Sequence, residues 1–175
     1  MKPIQLKICG MKYSENIEAI AALQPDYLGF IFWENSKRRF DLEEIPQFDS
    51  KIKKVGVFVD AKMNEIIARK NQFDFSKLKQ YIPYVDYFLF DTKGKLPGGN
   101  GITFDWQILA NYSYEIPYFL SGGIGNTELE AVKIFLKTKA GKNCVAIDVN
   151  SRFELKSGYK NENKLRKFKK SLYEN

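Results

Sequence analysis

Histidine is absent from all 175 residues, which removes zinc sites and His-based catalytic triads from consideration. Cysteine is scarce: Cys9 and Cys144 are the only two, and without paired spacing they fit reduced thiols better than a disulfide. A long hydrophobic run is missing too. The longest apolar stretch, Tyr27 to Trp33, is far too short to span a bilayer, so no membrane partner is expected. The start, MKPIQLKICG, is charged early and lacks an apolar segment followed by a small-residue cleavage site, so a secretory signal is not expected and a cytoplasmic location is. No Ser/Gly/Pro linker or low-complexity tract breaks the chain, and one domain over residues 1–175 is the expectation.

What the chain does carry is positive charge, a net +7. The run KLRKFKK at 164–170 is where a nucleic-acid contact would be sought. Leu165, Phe168 and Leu172 recur there at helical spacing, however, so the basic residues form the wet face of an amphipathic helix. No nucleic-acid partner is expected, and the charge has a milder use in steering a phosphorylated anion.

Six β-type runs stand out: 4–9, 26–32, 53–59, 86–91, 117–120 and 144–149. Helical patterns lie at 15–23, 62–70, 75–82, 104–110, 127–138 and 161–172. This βα alternation predicts an α/β fold with a parallel sheet covered by helices, either a barrel or an open doubly wound sheet. Runs such as YLGFIF, VGVFV and YFLF are apolar almost throughout, as strands buried on both faces are. Ser14 before Glu15, and Asn126 with Thr127 before Glu128, are the expected polar helix starts.

Chemistry is expected at the strand ends. Cys9 in QLKICG and Asp91 in FLFDT each close an apolar run at a turn, and a thiol base and a carboxyl acid on one rim make proton transfer the first hypothesis. Lys7 has the parity of Cys9 and can share its face. Cys144, inside CVAIDV, is read as a small buried hydrophobe. Ser121, Gly122 and Gly123 in SGGIGNTELEA follow a strand and open a helix, a setting suited to phosphate. The neighbouring rim, AIDVNSRFE, offers Asp148, Asn150 and Ser151. GKLPGGNG, running from Gly94 to Gly101, is either a flexible loop or a cradle in which Gly99 and Gly101 make room for substrate. It precedes Thr103 and Asp105, either of which suits a helix cap. Lys37, Arg38 and Arg39 in ENSKRRF offer an anion clamp or a solvated loop.

Taken in order, LKICGM, YLGFIFWENSKRRF, KKVGVFVD, DYFLFDTKGKLPGGNGITFDW, FLSGGIGN and AIDVNSRFELKSGYKN resemble phosphoribosylanthranilate isomerases of tryptophan biosynthesis. The resemblance implies a (β/α)8 TIM barrel that uses no cofactor or metal. It also implies an Amadori rearrangement of a small-molecule phosphosugar, N-(5-phosphoribosyl)anthranilate. By position, Cys9 then matches the general base and Asp91 the general acid, while Arg38, Gly99, Gly101 and Asp148 match substrate contacts. Gly122, Gly123, Asn150 and Ser151 match the phosphate loops.

The same resemblance exposes a gap. After VGVFVDAKMNEIIARK the family has two further strands before the stretch aligned with FDFSKLKQY, and about 35 residues are missing, roughly one βαβ unit. The chain is thus expected to lack two of eight βα units, and its edges to close as a smaller barrel, remain open or pair in a homodimer. The alternative function is a truncated, non-catalytic phosphate-binding or interaction protein.

Overall fold

The computed structural model describes residues 3–57, 78–79, 82–83, 85–91 and 105–174. Six strands, β1 (Gln5–Ile8), β2 (Tyr27–Ile31), β3 (Lys53–Val57), β4 (Phe88–Phe90), β5 (Tyr118–Leu120) and β6 (Cys144–Val149), form one sheet. Their order is β3-β2-β1-β6-β5-β4, and every pairing is parallel. The first and last strands of this sheet are neighbours. Barrels join their ends in this way, whereas a doubly wound sheet reverses its strand order partway. The fold is therefore a TIM-barrel-like α/β sheet of six parallel strands, short of a complete barrel, with β3 and β4 as its terminal strands among the described residues.

Among the described residues three α-helices cover the outer face: α1 (Ser14–Ala21), α2 (Leu129–Leu136) and α3 (Glu162–Tyr173). Leu6, Ile8, Leu28, Phe30, Leu120, Ile147 and Val149 from the strands join Ile17 and Ile20 of α1, Val132 and Phe135 of α2, and Leu165, Phe168 and Leu172 of α3 in one buried cluster. The basic run lies on α3 as its sequence pattern predicts. Its apolar residues are core, Asn161 caps its first turn through Lys164 N, and Lys169 donates to the carbonyls of Leu23 and Gln24 beyond α1. On the sheet's inner face Tyr27, Phe119 and Ala146 form a smaller cluster against Val55.

Several expectations need correcting. Burial on both faces holds for β2 and β6 but not for the sheet ends: Lys53, Lys54 and Gly56 of β3 and Leu89 of β4 are exposed. Ser14 is the first helical residue of α1, and Tyr13 holds the cap position without a side-chain bond. The turn at 126 is secured by Glu128, whose carboxylate accepts from the Gly125 amide, rather than by Asn126 or Thr127 as caps. Asp105 does cap the short 3-10 helix Trp106–Asn111, through Gln107 N. A hairpin, β7 (Glu154–Lys156) with β8 (Tyr159–Lys160), was not expected. The helix expected at 62–70, Gly99 and Gly101 lie outside the described residues. Among those described, no helix is long and apolar enough to cross a membrane.

Candidate active site

Because all six strands run the same way, their C-terminal ends form one rim. Cys9 directly follows β1, Gly122 and Gly123 follow β5 after Ser121, Asn150 and Ser151 follow β6, and Asp91 directly follows β4. The sheet order puts the β5 and β6 loops side by side, with Cys9 beyond β6 and Asp91 beyond β5. Three strand spacings separate β1 from β4, about 14 Å measured along the sheet.

The β1 side is built by strand alternation and register. Lys7 and Cys9 are two apart and share a face, and Lys7 pairs in register with Asp148 of β6. The Lys7 ammonium meets Asp148 Oδ1 at 2.8 Å, with side chains only 2% and 6% exposed. Asp148 Oδ2 accepts the Ser121 hydroxyl at 3.0 Å. Asp148 thus has each carboxylate oxygen engaged deep in the sheet. Burial works against the charge on Lys7, but Asp148 and Cys9 outweigh it and raise its pKa above the ordinary lysine range.

Cys9 is buried, and its amide donates to the Val149 carbonyl at 2.9 Å. Its sulfur lies over Gly29 of β2, where a Cβ would stand 2.8 Å from Sγ. Burial pushes the Cys9 thiol up, opposed by the charge and hydrogen bonding of Lys7. Cys144 is a different thiol, buried within β6, its S–H directed at the Ala146 carbonyl and its pKa pushed up to about 12 by burial. It packs, as its sequence context suggests.

Around Gly10 a second network closes the rim. Gly10 has φ +73°, and a Cβ there would stand 2.7 Å from Asn150 Oδ1 and 2.9 Å from Arg38 Cδ. Only glycine fits that backbone and that space. Arg38 donates through Nε and Nη2 to both oxygens of Glu154, each at 2.8 Å. Lys160, fully buried, donates to Glu154 Oε1 at 2.7 Å and to Asn150 Oδ1 at 2.6 Å. Asn16 of α1 anchors Lys160 by exchanging two hydrogen bonds with its backbone. Burial alone would raise the Glu154 carboxyl, but Arg38 and Lys160 bring it below the ordinary range. Arg38 is therefore held rigidly by protein, an ion-paired side chain at the rim rather than a solvated loop cation. Glu154 and Lys160 escaped sequence reasoning; two charges flanking the glycine turn of ELKSGYK were the available signal.

Gly122 and Gly123 adopt φ +96° and +64°, two left-handed positions in succession that glycine alone takes readily. A glycine turn that follows a strand leaves room for a ligand to approach the backbone closely. Among the described residues no cluster of His, Cys, Asp and Glu is suited to holding a metal ion.

Parallel βα units joined first strand to last, with a thiol and a carboxyl at strand ends and paired glycine and polar loops beside them, are the arrangement of barrel-type enzymes, whose chemistry sits at the C-terminal face of the sheet. The family model for N-(5'-phosphoribosyl)anthranilate isomerase matches residues 6–79 and 68–171. An N-(5'-phosphoribosyl)anthranilate isomerase from Parabacteroides distasonis is 34% identical over 204 residues, covering 93% of this chain and 90% of the relative. The crystal structure of phosphoribosyl anthranilate isomerase from Thermus thermophilus superimposes with a TM-score of 0.68 at 21% identity, over 97% of this chain and 98% of that one. A phosphoribosyl anthranilate isomerase solved in complex with reduced 1-(o-carboxyphenylamino)-1-deoxyribulose 5-phosphate gives 0.59 at 22%, with the same coverage. The chain belongs to the N-(5'-phosphoribosyl)anthranilate isomerase family. An alignment of 204 residues against a chain of 175 means that this member skips a segment its relative has. The family model matches 68–79 twice, which puts the junction where the sequence predicts it.

Proposed function

We propose that the rim performs the family's reaction, with Asp91 as acid and Cys9 as base. The chain is an intramolecular isomerase of tryptophan biosynthesis. It converts N-(5-phosphoribosyl)anthranilate into 1-(2-carboxyphenylamino)-1-deoxyribulose 5-phosphate. Asp91 protonates the ribose ring oxygen and the ring opens to an iminium ion. The Cys9 thiolate then takes the C2 proton, the C–H electron pair becomes the double bond of an enolamine, and tautomerisation gives the ketone. Gly122, Gly123, Asn150 and Ser151 hold the phosphate. Arg38, Gly99, Gly101 and Asp148 complete the substrate site. One domain carries it all, in the cytoplasm, as a homodimer that covers the terminal strands β3 and β4.

The observation that carries this reading is the placement of Cys9 and Asp91 on one rim with the β5 and β6 loops between them. Following the loss of N-(5-phosphoribosyl)anthranilate fluorescence tests it. Wild type should turn over, and Cys9→Ala and Asp91→Asn should each lose on the order of a hundredfold or more with unchanged circular dichroism. A wild type that binds inorganic phosphate yet never turns over would instead establish the non-catalytic reading. Sedimentation of the full chain at twice the monomer mass is the expected result for the dimer, and a monomer at all concentrations would remove it.

A further inference from the structure

We propose that Lys7 is a positioning residue for the proton-transfer step, its buried ammonium clamped by Asp148 so that the Cys9 thiolate forms against a fixed positive charge. The proposal rests on the reading of Cys9 as the base and adds to it the group that makes a buried thiol serviceable.

Three observations converge on this role. Strand alternation puts Lys7 on the face of Cys9, and register puts it opposite Asp148. Asp148 cannot turn away, because Ser121 donates to the oxygen that Lys7 leaves open. Finally, packing does not account for an ion pair here: a buried pair is weak evidence for stability, and apolar residues of similar volume usually replace one at little cost. An ammonium has three donors, and Asp148 takes one at 2.8 Å. Its charge also acts on the thiol two residues along the strand, on the same face.

The chemistry requires such a charge. The reactive form of cysteine is the thiolate, and a buried thiol gives up its proton reluctantly unless a cation stands beside it. Lys7 supplies that cation and keeps its own proton, because Asp148 stabilises the ammonium. When Cys9 accepts the C2 proton, sulfur returns to the neutral thiol and Lys7 neither gains nor loses one. The other charged groups acting on Cys9 are Asp148 from β6 and Lys160 from β8. Arg38 and Glu154 lie one shell further out, and Asp91 stands at the far strand of the rim.

The test pairs Lys7→Met with the double variant Lys7→Met/Asp148→Asn, which leaves no unpaired buried charge if the single variant fails to fold. Thiolate absorbance in the ultraviolet, taken as the difference between each protein and its Cys9→Ser counterpart across pH, reads Cys9 directly. In Lys7→Met the midpoint should move up by about one pH unit or more, and kcat/KM near neutrality should fall about tenfold with little change in KM. In the double variant, which also loses the opposing charge of Asp148, the midpoint should still move up, by less. Lys7→Arg should recover part of both. A folded double variant whose absorbance curve overlays the wild type would overturn the proposal, even with an active wild type. A shifted curve in a protein without isomerase activity would leave the Lys7–Cys9 coupling standing and remove only the catalytic reading.

Discussion

The end of β1 and the end of β4 carry the two residues proposed as proton carriers, and they are held in contrasting ways. Cys9 sits in the middle of the sheet, flanked by β2 and β6, above a buried lysine–aspartate pair and beside the Arg38–Glu154–Lys160 network. Asp91 follows a three-residue strand at the end of the sheet, preceded by the exposed side chains of Tyr87 and Leu89. Fixed charges in a desolvated site act far more strongly than the same charges in water. The Cys9 side is thus preorganised by the fold itself, while Asp91 takes its position from a strand with one sheet neighbour among the described residues.

Breaking the ordered side should have the largest effect. Glu154→Gln leaves Arg38 and Lys160 facing each other without a counter-charge, and about 3–5 kcal/mol of stability should be lost in urea denaturation. The wild type carries a related acid sensitivity. Since the folded Glu154 pKa lies below the ordinary value, its contribution is present above the ordinary glutamate range, near about pH 4.3. It disappears as pH falls through the lower folded value. Melts between about pH 6 and pH 3 should therefore converge for wild type and Glu154→Gln at the acid end, and parallel curves would show that this network does not set acid stability.

A smaller effect is expected one strand over. Gly29→Ala places a methyl group 2.8 Å from Cys9 Sγ and 3.1 Å from its Cα, an overpacking that costs about 1–3 kcal/mol. Turnover should fall by more than the loss of stability explains, since the displaced atom is the proposed base. Unchanged turnover in a destabilised protein would show that the sulfur's position is not critical. On the acid side, Leu89→Ser should change stability by no more than about 0.5 kcal/mol. A loss above about 2 kcal/mol would show that the inner face of β4 is packed, and the contrast between the two ends would dissolve.

How much was visible in the sequence follows the same division. β6 was read to the residue, because CVAIDV is apolar, flanked by polar turns and buried. β3 and β4 are legible as strands, but their apolar runs predict burial on both faces, since an apolar run does not reveal whether a neighbouring strand exists on both sides. The hairpin β7–β8 was missed because strands of three and two residues are too short for a period of two to register. Lys7 could be placed on the face of Cys9 by parity alone, whereas its pairing with Asp148 depends on a register set across 141 positions of chain. Cap residues misled at Ser14 because a small hydroxyl suits the first turn of a helix as well as its cap.

Pairing the first strand with the last also has a consequence for the order in which the molecule is made. As the chain emerges from a ribosome, Lys7 and Cys9 appear long before Asp148 and Ser121, which give the ammonium its place in the interior. Until then β1 has β2 on one flank and nothing on the other, and contacts across such separations form slowly. The proposed base therefore acquires its surroundings only once β6 has been made, and a chain released before β6 would carry the cysteine without the charge environment around it.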